Sequence, residues 1–355
     1  MKPPFYADHV GSLLRPAELA EARKAKNPDL KQIEDKAIRA AVAKQEAIGL
    51  QSITDGEFRR DYWHLDFMKQ LEGVTLKQAV GLSFAAEDVP PMATVTGKVR
   101  CAKPIMVDHF SFLKATTKKT AKFCMPSPGS LHFRGGRDAI SREVYPDLAE
   151  FWKDAGAAWR QAIRHLADAG CTYLQLDDVG FSYLCDSKVR ENFRAHGDDP
   201  AGLQFAYANA INAALENRPK GLSVTMHTCR GNFRSTWFAA GAYQDEVLDG
   251  MFSADVDGFF MEYDSERAGG FAPLSRLPKG RNVVLGLVTT KTGALESKDV
   301  LKKRIDEASK YVPLENLRLS PQCGFSSTHH GNKLSQDDQW RKLELVVEVA
   351  REVWG

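Results

Sequence analysis

Short apolar segments alternate with longer amphipathic segments along most of this 355-residue chain, and few folds accommodate that order. The apolar segments predict eight β-strands, at residues 4–12, 50–57, 120–128, 171–178, 222–229, 256–263, 282–289 and 317–323. Helical periodicity predicts helices at residues 29–49, 145–170, 188–216, 297–312 and 336–354. Strand and helix in repeated alternation are typical of a parallel α/β fold, because each helix returns the chain to the edge where the next parallel strand starts.

Eight such strands predict a (β/α)8 barrel, the TIM-barrel fold, formed by residues 1–355 as a single domain. A doubly wound open sheet is the alternative, but no GxGxxG sequence follows the first predicted strand. Residues 73–101 interrupt the alternation with two extended runs around a proline-containing turn. They predict a β-hairpin that is inserted after the second strand and lies over the barrel mouth.

Composition and charge exclude several classes of protein. Hydrophobic residues make up 43% of the chain, enough for a large core, and a formal charge of +2 gives no field that would attract nucleic acid or an anionic membrane. The N-terminus lacks the apolar stretch of a signal peptide, so we expect a cytoplasmic protein with no membrane contact. The six cysteines contain no CxxC pair and do not resemble a secreted disulfide framework. The sequence leaves open whether the protein forms a homo-oligomer.

A histidine and a cysteine stand two positions apart at the end of the predicted strand 222–229. Because residues i and i+2 of a strand point to the same side, His227 and Cys229 can converge on one ion. Glu262 and Cys323 lie at the ends of two later strands, and strand ends of a barrel meet at one rim. Two thiolates, an imidazole and a carboxylate suit Zn²⁺. Taken alone, His227 and Cys229 could instead be an ordinary core pair.

Polar side chains follow other predicted strands on the same rim. Ser12, Glu57 and Asp177 could bind an amino acid, with the two carboxylates at its ammonium group and the Ser12 region at its carboxylate. Asp178 could equally be an exposed helix N-cap. Arg59 and Arg60 are expected to be solvated or ion-paired at the surface.

Six segments, in this order, resemble the catalytic C-terminal barrel of cobalamin-independent methionine synthase: DHVGSLLRP, ITDGEFRR, LQLDD, HTCRGNF, FFMEY and SPQCGF. The resemblance covers essentially the whole chain. It implies Zn²⁺ bound by His227, Cys229, Glu262 and Cys323, and a homocysteine-like thiol held by Ser12, Glu57 and Asp177. It also implies that Arg100 and Cys101, in GKVRC, meet a methylated folate, and that methyl transfer to the thiol forms methionine.

The chain departs from that family in three places. It leaves no room for the second, N-terminal barrel of the full synthase. The loop in which the family has a histidine reads VTTKTGALES, with Thr289, Thr290 and Lys291 in that region. His132 and Phe133 appear where a tryptophan is expected near the folate. These departures leave open a different thiol-alkyl transferase or demethylase, or a zinc-containing binding protein without turnover.

The implied chemistry needs a thiolate and an acid. A free thiol with a pKa of about 8.5 is mostly protonated at neutral pH, and zinc coordination deprotonates it. With all four ligands in place, Glu262 is expected to loosen most easily, because a carboxylate is the weakest donor of the set. We expect Glu57, Asp177 and His330 to act in catalysis. The histidines that could protonate a departing folate nitrogen are His9, His132, His329 and His330, and either member of the last pair could instead be a solvated loop residue.

Overall fold

The computed structural model describes residues 2–78 and 90–355. Its central sheet has seven parallel strands in the order β1-β4-β5-β6-β7-β8-β9, and a separate antiparallel pair joins β2 to β3. The strands are β1 (Ser52–Ile53), β2 (Glu72–Lys77), β3 (Met92–Arg100), β4 (Thr120–Pro126), β5 (Tyr173–Asp178), β6 (Ser223–Thr228), β7 (Gly258–Glu262), β8 (Asn282–Val288) and β9 (Leu317–Pro321). Strands β4 to β9 are buried along nearly their whole length, as parallel strands covered on both faces must be.

The sheet closes into the predicted barrel through residues 6–13, which lie between β9 and β1. The amide of Leu319 donates to the carbonyl of Tyr6, the amide of Asp8 donates to the carbonyl of Leu319, and the amide of Leu13 donates to the carbonyl of Gly56. The (β/α)8 fold class is therefore confirmed. This segment also carries Ser12 to the edge at which the strands end.

Two predicted strands are much shorter than expected. Within residues 4–12, Ala7 alone among the described residues forms a β-bridge, to Leu319. The Asp8 carboxylate accepts hydrogen bonds from the neighbouring amide of His9 and the hydroxyl of Ser52, so a side chain replaces ladder partners. The predicted strand 50–57 is reduced to β1, because the Gln45 side chain takes both the amide and the carbonyl of Thr54.

Helices pack around the sheet and include those that the periodicity predicted. They are α1 (Ala17–Lys24), α2 (Leu30–Ile48), α3 (Leu65–Met68), α4 (Val107–Thr116), α5 (Leu148–Asp168), α6 (Gly180–Leu184), α7 (Ser187–Ala195), α8 (Pro200–Leu215), α9 (Asp245–Phe252), α10 (Lys298–Ser309) and α11 (Gln336–Trp354). The predicted helix 188–216 is divided in two, because Asp199 caps a new helix that starts at Pro200. Among the described residues, no helix is long and apolar enough to cross a bilayer.

The predicted hairpin is confirmed as β2 and β3, with Val74 opposite Val95. Strand β3 lies against α5 and the turn before it, where the Tyr145 hydroxyl accepts from the amide of Val99 at 2.8 Å. Residues 79–89 of the predicted hairpin lie outside the described residues. Of the described hairpin region, Pro90 reaches the cavity at the barrel mouth.

Candidate metal and substrate site

Four buried side chains with metal-binding atoms converge where the barrel strands end. His227 lies near the end of β6, Cys229 directly follows it, Glu262 ends β7 and Cys323 follows β9. One ligand atom from each lies within 4.8 Å of the others. The two Sγ atoms are 3.4 Å apart, and Nε2 of His227 is 3.9 Å from Oε1 of Glu262. The structure thus brings together the four residues predicted as ligands.

Neighbouring groups orient these four side chains. Nδ1 of His227 lies 3.2 Å from Oδ1 of Asp177, which directs Nε2 toward the cluster. Arg267 donates to Oε2 of Glu262 at 2.9 Å, and the amide of Gly231 donates to Sγ of Cys229 at 3.3 Å. Such support is what metal ligands require, because an unsupported side chain would lose affinity through its own mobility.

The protonation equilibria of the group are strongly linked. Burial alone would lower the pKa of His227, but the hydrogen bond to Asp177 and the negative charges of Cys323 and Glu262 raise that pKa to about 9. A hydrogen bond with Cys229 lowers the pKa of Cys323 to about 7 against the effect of burial. The same bond, together with burial, raises the pKa of Cys229 well above its usual value. Buried groups that carry this much potential negative charge are stabilised by a cation.

A cavity opens beside the cluster. Three of the four candidate ligands line it: His227, Cys229 and Cys323. All three residues predicted to hold an amino acid line it as well: Ser12, Glu57 and Asp177. Although these side chains come from opposite ends of the chain, the barrel places them around one volume.

Glu57 is held in an unusual conformation and retains an unsatisfied carboxylate oxygen. Its φ of 59° lies in the left-handed region, which costs a non-glycine residue free energy and is common at functional sites. Oε1 is 3.3 Å from Arg60, whereas the buried Oε2 has no hydrogen-bond partner among the described residues. Burial raises the pKa of Glu57 to about 8, with Arg60 opposing and Asp177 adding to the rise. The carboxyl group is therefore largely protonated at pH 7.

Ser12 is packed tightly against the loop that follows Cys323. The amide of Ser326 donates to Oγ of Ser12 at 3.3 Å. A Cβ atom added to Gly324 would lie only 1.9 Å from that Oγ. A glycine at this position therefore permits the close approach of the two loops.

We expect Gly324→Ala to lower the free energy of unfolding by about 1–3 kcal/mol, because the new methyl group must displace Ser12. Gly202→Ala is the matched control. The Cβ there would meet no atom within 4 Å. Since Gly202 lies in α8, that substitution should stabilise the protein by up to about 1 kcal/mol. Urea unfolding of both variants tests the pair, and equal effects would contradict the predicted contact.

The remaining predicted site residues lie elsewhere. Arg100 pairs with Glu72 at the base of the hairpin, and the Cys101 thiol donates to the carbonyl of Lys103. Burial raises the pKa of Cys101 to about 11. Neither Arg100 nor Cys101 lines the cavity formed by the described residues. They therefore do not join Ser12, Glu57 and Asp177 in the lining of that cavity.

Two of the alternatives that the sequence left open are corrected. Arg60 is fully buried and ion-paired with Glu57, so it is not a solvated residue. Arg59 forms the expected ion pairs, with Glu34 and Asp35. Asp178 does accept a hydrogen bond from the amide of Phe181 at the start of α6, but it is buried rather than exposed.

None of the four histidines considered as acids lines the cavity that the described residues form. Nε2 of His9 lies 3.2 Å from the carbonyl of Ser52, and His132 is enclosed between Tyr207 and Asp198. His329 is exposed. His330 packs on Phe233, with 5.1 Å between ring centroids. It therefore contacts a residue that lines the cavity without lining the cavity itself.

Lys291 and His64 also lie at or beside the cavity. Lys291, in the loop where a histidine was expected, is buried and donates to Oδ1 of Asn232 at 2.8 Å. Asn232 itself lines the cavity. His64 also lines the cavity and was not predicted, because DYWHLDF contains neither a strand end nor a metal-ligand spacing.

A closed parallel barrel whose strand ends surround a cavity with buried thiol, imidazole and carboxylate groups is the architecture of a barrel enzyme. The model of the "Cobalamin-independent synthase, Catalytic domain" family matches residues 14–352. The chain therefore belongs to the cobalamin-independent synthase family, and it is a methyltransferase.

Individual relatives align with this chain over nearly its full length. The chain is 43% identical to the uncharacterized protein YxjH of Bacillus subtilis, over 99% of this chain and 96% of that protein. It is 23% identical to a methionine synthase of Saccharolobus solfataricus, over 97% of this chain and 93% of the relative. A crystal structure from Listeria monocytogenes, described as a candidate vitamin-B12-independent methionine synthase, matches with 39% identity and a TM-score of 0.80. It covers 100% of this chain and 99% of its own.

Proposed function

We propose that this enzyme transfers a methyl group from a methylated folate, or a similar methyl donor, to the sulfur of homocysteine and so forms methionine. The observation that carries the proposal is that His227, Cys229 and Cys323 share one cavity with Glu57 and Asp177. The candidate metal ligands, which suit a thiol, thus lie beside two carboxylates, which suit an ammonium ion. The Saccharolobus relative, which is named a methionine synthase, supports the same reaction.

The donor set fits zinc. His227, Cys229, Glu262 and Cys323 offer one nitrogen, two sulfurs and one oxygen, and zinc accepts all three types whereas magnesium and calcium prefer oxygen alone. When bound there, zinc would keep the substrate thiol deprotonated at neutral pH. Asp177 would hold the His227 ring, and Arg267 would hold Glu262, in the orientations described above.

The substrate residues have separate tasks in this proposal. Glu57 and Asp177 bind the ammonium group, and Ser12 binds the carboxylate, which leaves the thiol beside Cys229 and Cys323. In the transfer, a sulfur lone pair forms the new S–C bond while the bond between the methyl group and the donor breaks. The electron pair of the broken bond stays on the donor, which takes up a proton, and the thiol proton is lost.

A direct assay tests the proposal. Zinc-loaded enzyme is incubated with homocysteine and, separately, 5-methyltetrahydrofolate and other methyl donors, and methionine is followed by mass spectrometry. We expect methionine with at least one donor, and none after zinc is removed with a chelator. Methylation of another thiol in place of homocysteine would instead support a different thiol-alkyl transferase. Arg100 and Cys101 do not line the cavity formed by the described residues, which keeps that alternative in view. Zinc and homocysteine binding without any product would overturn methyl transfer.

Binding of an amino acid should release a proton from Glu57. With its pKa raised to about 8, this group is mostly neutral at pH 7, and an adjacent ammonium ion favours its charged form. Methionine is the suitable ligand, because its thioether has no proton to lose. We expect the calorimetric binding enthalpy at pH 7 to vary with the ionisation enthalpy of the buffer, with a slope approaching about one proton released. Glu57→Gln should abolish that slope, and a slope that persists would contradict the role of Glu57.

A further inference from the structure

His64 places two unsatisfied nitrogen atoms at the edge of the substrate cavity. The side chain lines the cavity and the residue is only 5% exposed. Neither Nδ1 nor Nε2 has a hydrogen-bond partner within residues 2–78 and 90–355. Buried polar atoms are nearly always paired, since leaving one unpaired costs about 1–3 kcal/mol. Two such atoms on one ring facing a cavity therefore point to a ligand.

The ring is neutral at physiological pH. Burial lowers the pKa of His64 to about 3, and the nearby positive charge of Arg134 contributes. A neutral imidazole offers one N–H donor and one acceptor nitrogen. His64 can therefore both donate to and accept from a single ligand, without any change of charge.

Packing alone holds the ring in place. The Trp63 ring lies 4.5 Å from it and the Phe133 ring 6.0 Å from it, measured between centroids. The backbone is fixed independently, because Asp66 accepts hydrogen bonds from the amides of Asp61 and Tyr62 at 2.8 and 2.7 Å. No polar atom of the His64 ring is needed to position it, and both remain available.

Trp63, His64, Phe133 and Tyr183 form an aromatic part of the cavity lining. Phe133 contacts His64 on one side and Tyr183 on the other, with 5.7 Å between the Phe133 and Tyr183 centroids. Tyr183 is the member near the thiols, since burial and then the negative charge of Cys229 raise its pKa. A homocysteine anchored at Glu57 and Asp177 leaves this aromatic part of the cavity to the second substrate.

We propose that His64 positions the methyl donor through hydrogen bonds to a planar heterocycle that carries an adjacent donor and acceptor. Trp63, Phe133 and Tyr183 supply flat apolar surface, and the Arg134 guanidinium favours an acceptor-rich ring. This inference rests on the proposed methyl transfer and assigns its donor subsite to residues of the loop before α3. His64 is a binding and positioning residue, and the reaction needs no proton from it.

The test compares three substitutions in the zinc-loaded enzyme, with 5-methyltetrahydrofolate as the donor probe. His64→Phe keeps a ring but removes both nitrogens, whereas His64→Asn and His64→Gln each supply an NH2 donor group and a carbonyl acceptor. Dissociation constants for the probe and for homocysteine are measured separately by calorimetry, and melting temperatures are recorded. We expect His64→Phe to weaken probe binding about tenfold or more, which corresponds to the loss of one to two hydrogen bonds. Either Asn or Gln should recover part of that affinity.

The other readouts separate a binding role from a structural one. We expect homocysteine affinity to change by less than about twofold in all three variants. His64→Phe should keep or raise the melting temperature, because it removes two unsatisfied buried atoms. Wild-type probe affinity in His64→Phe would overturn the inference, as would equal weakening of both ligands.

Different binding results would contradict the donor subsite and the proposed acceptor. If the wild type binds homocysteine but not the probe, the assigned donor class is wrong while the thiol site stands. If the zinc-loaded enzyme binds the probe through His64 but does not bind homocysteine, the donor subsite stands and the proposed acceptor is wrong.

Discussion

Replacing Cys323 with serine should remove most of the bound zinc and lower the rate of homocysteine methylation at least about 100-fold. This effect should exceed that of removing a residue that only supports a metal ligand. The Cys323 thiol has a pKa lowered to about 7 and lies 3.4 Å from the Cys229 sulfur. A serine hydroxyl stays protonated at neutral pH and is a hard oxygen donor, so it cannot replace a thiolate. Zinc content after dialysis against a weak chelator, followed by the initial rate, measures both effects.

Cys171→Ser is the matched control for this substitution. Cys171 is equally buried, but it lies just before β5, at the opposite end of the strands, and donates to the carbonyl of Tyr173. Burial raises its pKa to about 12, as expected for a thiol that never ionises. This variant should keep its zinc and most of its activity. Full zinc retention by Cys323→Ser, or zinc loss by Cys171→Ser, would argue against the assigned ligand set.

Two neighbouring aspartates should respond oppositely to the same substitution. Asp177→Asn should weaken zinc binding about 10- to 100-fold and impair homocysteine binding, with little change in melting temperature. Its Oδ1 lies 3.2 Å from Nδ1 of His227, and the residue lines the cavity. An amide carries no charge, so it neither stabilises the His227 ring in the same way nor attracts an ammonium ion.

Asp178→Asn should instead lower the melting temperature and leave zinc affinity nearly unchanged. Asp178 is buried on the other side of β5, where it hydrogen-bonds the Ser127 hydroxyl and accepts from the amide of Phe181 at 3.1 Å. It does not line the cavity formed by the described residues. Zinc titrations and thermal unfolding of the two variants give the comparison. Equal zinc affinities would show that Asp177 does not support the metal ligand.

The convergence of His227, Cys229, Glu262 and Cys323 was predictable because each follows from a periodic rule. Residues i and i+2 share one side of a strand, and parallel strands of a barrel end at one rim. These two regularities need no knowledge of loops. The same rules brought Ser12, Glu57 and Asp177 to the right neighbourhood, although their roles there stay predictions.

The predictions that failed concern irregular backbone. Residues 4–12 and 50–57 have the apolar character of strands. In the first segment the Asp8 carboxylate takes hydrogen bonds, and in the second the Gln45 side chain takes both the amide and the carbonyl of Thr54. Arg100 does not line the cavity formed by the described residues, and its expected contact with the methyl donor stays a prediction. No sequence pattern indicated His64 as a site residue, because the residues that surround a ring nitrogen in the fold decide whether it is hydrogen-bonded.

The sequence by itself therefore determined the barrel, the order of its elements and the convergence of four candidate ligands at its strand ends, because hydrophobic periodicity and side-chain alternation are local properties of the chain. The tertiary structure alone decided which polar atoms remain unsatisfied, which charges are buried together and which loops reach the cavity. Burial in the folded chain raises the pKa of Glu57, and both ring nitrogens of His64 are left unpaired there. Desolvation depends on the closed shape of the whole barrel, and no segment of the chain encodes it alone.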